Sequence, residues 1–163
     1  MKKFFFLVIS LAGLCSFSWF KKAAFKLVDA TSQHWTAGIP SGGSGTEYTF
    51  RIVIETKEPI RFDSVWMADK AFPIQAVKGK VFTPEVSLNK GDTVRLRVSD
   101  SRPGTPGAWP SGSSDVKEAP VLVKKSTPPV HYNGDALVRY YVGSKARYYT
   151  ISGIKKLEPL SMP

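Results

Sequence analysis

Tyr48-Thr-Phe-Arg-Ile-Val-Ile-Glu55 alternates through its whole length. Tyr48, Phe50, Ile52 and Ile54 fall on one face of an extended chain, and Thr49, Arg51, Val53 and Glu55 fall on the other. A repeat of two marks a strand with one buried face. Thr93-Val-Arg-Leu-Arg-Val-Ser99 repeats the pattern, with Val94, Leu96 and Val98 inward and Thr93, Arg95 and Arg97 outward. Asn89-Lys-Gly-Asp92 is the turn cluster that opens it.

Weaker strands fill the intervals. Ala24–Asp29 sets Phe25 and Leu27 against Lys26, and Ile60–Met67 carries Phe62, Val65, Trp66 and Met67. Phe72–Val77 is short, and its Pro73 places it at a sheet edge. Val81–Val86 is broken by Pro84, and Pro120–Lys124 is a further short candidate. Near the end, Ala136–Val142 and Lys145–Ile151 flank Gly143-Ser144, which reads as a type II′ hairpin. That register opposes Val138 to Tyr149, Ala136 to Ile151, Tyr140 to Arg147, Arg139 to Tyr148 and Tyr141 to Ala146. A three-residue loop would shift every pair by one.

Beyond the first eighteen residues, no sustained helical period appears. The expectation is an all-β chain: an antiparallel β-sandwich, immunoglobulin-like, of about seven or eight strands. Two loops interrupt it, the glycine-rich Ser41–Gly45 and the long Pro/Gly/Ser-rich Ser101–Asp115.

The first residues carry an address. Lys2 and Lys3 precede an apolar run from Phe4 to Leu14, followed by Ser16 and Ser18. This is the layout of a secretory signal peptide over 1–18, leaving 19–163 as a single sandwich domain. Cys15 is the only cysteine. Cleavage after Ser18 removes it, so the domain would fold in the periplasm or outside the cell by burial alone, without a disulfide. Retention and lipidation of Cys15 is the one route by which the chain would be membrane-anchored. A thiolate metal site and a cysteine nucleophile are excluded from the mature chain.

The formal charge is +10, which losing Lys2 and Lys3 lowers to about +8. Such a surface suits acidic polysaccharide or another envelope protein. The lysines are dispersed in short pairs, so no specific nucleic-acid partner is expected, and solubility alone accounts for much of the charge.

Gln33-His-Trp-Thr-Ala-Gly38 leading to Ser41-Gly-Gly-Ser-Gly-Thr46, with Ala146-Arg-Tyr-Tyr-Thr150 leading to Leu157-Glu-Pro-Leu160, resembles small exported β-sandwich proteins of Bacteroidota-type bacteria. These have no assigned activity, so the resemblance implies fold and compartment only.

No constellation points to catalysis, a metal or a cofactor. His34 and His131 lie far apart in sequence and outside any ligand spacing. There is no G-x-S-x-G elbow, and Ser41–Gly45 lacks the lysine and helix of a phosphate loop. Asp63, Asp69, Asp92, Asp100, Asp115 and Asp135 read as turn residues. The best binding candidates are Arg139, Tyr141 and Tyr148 on the solvent side of the hairpin, and Trp109 in the long loop. Tyrosine stacks on sugar rings, and arginine pairs with carboxylates or phosphates. Cross-strand Tyr–Arg packing that only steadies the sheet is the competing reading. The expectation is a non-enzymatic exported binding or assembly domain. An envelope hydrolase with a fold-assembled site, or a structural accessory domain, is the alternative.

Overall fold

Phe50, Ile52, Val94 and Leu96 are almost fully buried, as their alternation requires. The computed structural model describes residues 23–79, 81–82, 88–104 and 124–162. Among these lie eleven strands: β1 (Phe25–Ala37), β2 (Ser44–Ile54), β3 (Ile60–Met67), β4 (Lys70–Pro73), β5 (Gln75–Lys78), β6 (Val81–Phe82), β7 (Thr93–Arg102), β8 (Lys124–Lys125), β9 (Ala136–Val142), β10 (Lys145–Ile151) and β11 (Lys155–Met162). One sheet runs β11-β1-β2-β7-β5-β6 and the other β10-β9-β3-β4-β8. All pairings are antiparallel except β1 with β11. Two sheets share one apolar core, the architecture of a β-sandwich.

Phe25 ties the layers together. It comes from the first sheet and meets Phe62, Tyr140 and Tyr149 of the second at centroid distances of 5.3, 5.1 and 4.9 Å. These edge and tilted contacts add to simple burial. The hairpin takes the expected register at all five pairs. Gly143 has φ +57° while Ser144 does not enter the positive region, as a type II′ turn requires.

Four readings change. β1 runs well past Asp29 to Ala37. Phe72–Val77 is two strands, because the chain leaves one sheet after β4 and enters the other at β5. Asp63 and Asp100 belong to strands β3 and β7, not turns. The last strand, β11, has no buried residue and therefore no alternation to read. It is held by the parallel ladder to β1, and the Gln33 amide donates to the Glu158 carbonyl at 3.0 Å where Pro159 interrupts the register. Residues 1–18, where a signal is expected, most of Ser101–Asp115 including Trp109, part of Val81–Val86 and most of Pro120–Lys124 lie outside the described residues.

Two bulges decide what faces inward. At Val28 the β1 register shifts between Leu27 and Asp29. Phe25 and Leu27 face the core before it; Ala30, Ser32 and His34 follow that face after it. At Asp63 the β3 register shifts between Phe62 and Ser64, so Phe62 and Val65 are both inward and Trp66 turns to the outer face.

Candidate functional site

Sheet positions on the inner face of β1, β2 and β7 change character along the strands. The row Ala30–Phe50–Leu96 is apolar and buried. The next is Ser32–Tyr48–Val98, and the one beyond is His34–Thr46–Asp100. The core therefore gives way to a polar wall at this end of the sandwich. The turn between β3 and β4 (Ala68-Asp69) faces it, and a cleft of about 740 Å³ lies between. Met67, Phe72, Ile154 and Leu157 supply its apolar lining.

The cleft is held in shape by its own polar contacts. Lys70 of β4 reaches Asp100 of β7 at 3.5 Å, joining the two sheets across the opening. The Asp135 carboxylate accepts the Ile154 backbone N–H at 3.0 Å. His34 lies with Nδ1 3.5 Å from the Thr46 hydroxyl and Nε2 3.5 Å from the Thr36 hydroxyl. Both ring nitrogens thus face threonine oxygens. Burial, with the negative charge of Asp100 nearby, raises the Tyr48 phenol above its ordinary value, so it remains a proton donor at neutral pH. Ala68 at the tip has φ +54°, a left-handed conformation that a residue with a Cβ adopts at a cost. Among the described residues no group of three or more His, Cys, Asp or Glu side chains is disposed to hold a metal ion.

The structure brings Arg139, Tyr141 and Tyr148 together on the outer face of the second sheet, as register partners of Ser64, Arg61 and one another. Arg139 is already engaged. Its guanidinium donates to Asp63, with Nε–Oδ2 at 2.7 Å, and its carbon lies 5.2 Å from the Trp66 ring centroid. Arg61 sits over the Tyr141 ring at 4.5 Å. Burial works against the Asp63 charge, but the Ser64 and Arg139 hydrogen bonds and the Arg139 and Arg61 charges hold its carboxyl below the ordinary value. The outer face of the first sheet is similar: Arg97 makes two bonds to Glu47, at 2.7 and 2.8 Å, and Arg95 donates to the Gly79 carbonyl. Arg51 is exposed.

Sequence reasoning missed the cleft. His34 and Ser32 share a face with Phe25 only because of the Val28 bulge. Asp69, Asp100 and Asp135 are far apart in sequence and come to line one cleft only through the fold. A hint existed in Tyr48, the one polar-tipped residue on an otherwise apolar strand face. No family model, curated protein or solved structure matches the chain.

Proposed function

We propose that this chain is a non-enzymatic binding domain of the bacterial cell envelope, exported by its N-terminal signal, and that the end cleft is its ligand site. The cleft carries this reading. Its volume of about 740 Å³ falls in the range of roughly 300–1,000 Å³ that small-ligand sites occupy. Its lining mixes apolar side chains with hydroxyls, an imidazole, carboxylates and ammonium groups. The arginine-tyrosine face around Arg139, Tyr141 and Tyr148 remains a second contact surface, and Trp109, outside the described residues, is a separate candidate contact. A polyanion such as an acidic polysaccharide would meet the outward Arg51 first.

An immunoglobulin-like layout fits the same molecule. Its first and last strands lie side by side and parallel, and the chain passes between sheets after β2, β4, β7 and β10.

One observation favours assembly as a second reading. β11 is an edge strand whose residues are all exposed, among them Leu157, Leu160 and Met162. Such an edge is available to another envelope protein.

The test is a pull-down of fractionated envelope with the wild type and with Thr46→Lys, which fills the cleft. A component retained by the wild type and lost by the variant supports the reading. Equal retention by both contradicts it.

A further inference from the structure

The edge strand β11 is open and carries charges of both signs. β1 is its one ladder partner among the described residues, and every residue from Lys155 to Met162 is exposed. Alternate residues of such a strand turn their N–H and C=O groups away from the sheet, unpaired. Lys156 and Glu158 lie on either side of Leu157, and among the described residues neither side chain has an ion-pair partner. Leu157, Leu160 and Met162 are exposed beside them, so the edge offers apolar surface as well.

A strand added to this edge must suit that pattern. A uniformly acidic segment would set a carboxylate against Glu158, and a uniformly basic one an ammonium against Lys155 and Lys156. Like charges directly opposite destabilise a strand pair. The fitting segment has opposite charges two residues apart with an apolar residue between, and β11 is itself such a segment. When two copies pair antiparallel, residues with outward backbone groups must face each other, so the ladder is centred on a residue. Centred on Leu157, it sets Leu157 against its own copy and Lys156 against the partner's Glu158, on both sides of the centre. Centred on Lys155 or Lys156 it sets lysine against lysine, and centred on Glu158 it sets carboxylate against carboxylate. Pro159, which has no N–H, and the register shift beside it end the regular stretch.

Resting on the assembly reading of β11 given above, we propose that the partner at this edge is a second copy of the chain. Two β11 strands pair antiparallel about a two-fold axis centred on Leu157 and join two six-stranded sheets into one. The contact is isologous, the same patch meeting itself. The axis runs perpendicular to the sheet, so the inner faces of both copies look the same way. Lys156 and Leu157 also line the end cleft, which puts one cleft on each side of the seam. A ligand displayed in many copies on one surface is then held at two points.

The test is sedimentation equilibrium of the full chain over a range of concentrations, with charge-swapped variants at exposed positions that leave the core intact. The wild type should rise from one chain toward two. Lys156→Glu and Glu158→Lys should each weaken association about tenfold, because each puts like charges opposite twice. An equal mixture of the two variants, and the double variant Lys156→Glu with Glu158→Lys, should both recover it. Lys145→Glu, the same change of charge on β10 of the other sheet, should alter nothing. A wild type that stays a single chain up to about millimolar concentration, millimolar being a dissociation constant already weak for any specific contact, overturns the proposal. So does a dimer that the swaps leave unchanged, or single variants that do not recover on mixing. The envelope pull-down with the single variants separates this failure from that of the edge reading. An envelope protein lost by the variants while the wild type is monomeric overturns self-pairing and leaves β11 as a contact for a different chain. Unchanged retention with a monomeric wild type removes both.

Discussion

Lys70 and Asp100 meet at 3.5 Å from opposite sheets, and their contact spans the opening of the end cleft. Both side chains are partly exposed, at 44% and 25%. An ion pair of this kind contributes little to stability, about 0–1 kcal/mol. Its consequence is positional: it holds the β3–β4 turn against β7. Lys70→Ala should therefore shift the denaturation midpoint hardly at all while changing ligand affinity severalfold. Paired urea melts and binding isotherms check this. A large loss of stability with unchanged binding would contradict a positional role.

Asp63 and Arg139 behave differently, because their contact is more enclosed and is shared with Ser64, Arg61 and Trp66. Asp63→Asn should cost about 1–3 kcal/mol near neutral pH. The folded carboxyl lies below its ordinary 3.8, so its contribution is complete above that value and is lost as pH falls through the folded one. The wild type should lose stability below pH 4, and Asp63→Asn should show a flatter profile there. Urea unfolding at pH 6 and pH 3 measures the difference; parallel profiles would remove Asp63 from the account.

Phe25 tests how the layers are joined. It is nearly fully buried and touches three aromatic rings of the opposite sheet. Phe25→Ala should cost about 3–5 kcal/mol, the transfer loss plus the cavity left behind. Calorimetry should show one lower transition. A cost below about 1 kcal/mol would mean that this cluster does not hold the sheets together.

Gly45 tests the close packing beside the cleft. A Cβ there would lie 2.8 Å from the Asp100 carbonyl and 2.9 Å from the Trp35 indole nitrogen. Gly45→Ala should displace Trp35 and destabilise by about 1–3 kcal/mol, as overpacking does. The melting temperature and the Trp35 indole N–H resonance report both effects. An unshifted resonance with an unchanged melt would show that the neighbours yield freely.

The two clearest strands were legible because their alternation is unbroken: β2 and β7 bury the faces that Phe50 and Leu96 announce. The hairpin was legible, and of the two registers its sequence left open it takes the one set by a two-residue turn at Gly143-Ser144. Legibility failed where a bulge changes parity. Asp63 makes Val65 inward and Trp66 outward, and Val28 turns Ser32 and His34 toward the cleft. It failed again at β11, which buries nothing and so carries no hydrophobic signal. The Arg139, Tyr141 and Tyr148 cluster was visible in sequence, but its binding partner Asp63 within the fold was not.

The most direct test of the central claim is amide chemical-shift mapping of the labelled protein during titration with the envelope component retained in the pull-down. The account predicts shifts at Ser32, His34, Thr46 and Tyr48, around the cleft. Shifts confined to the outer face at Arg139, Tyr141 and Tyr148 would contradict it.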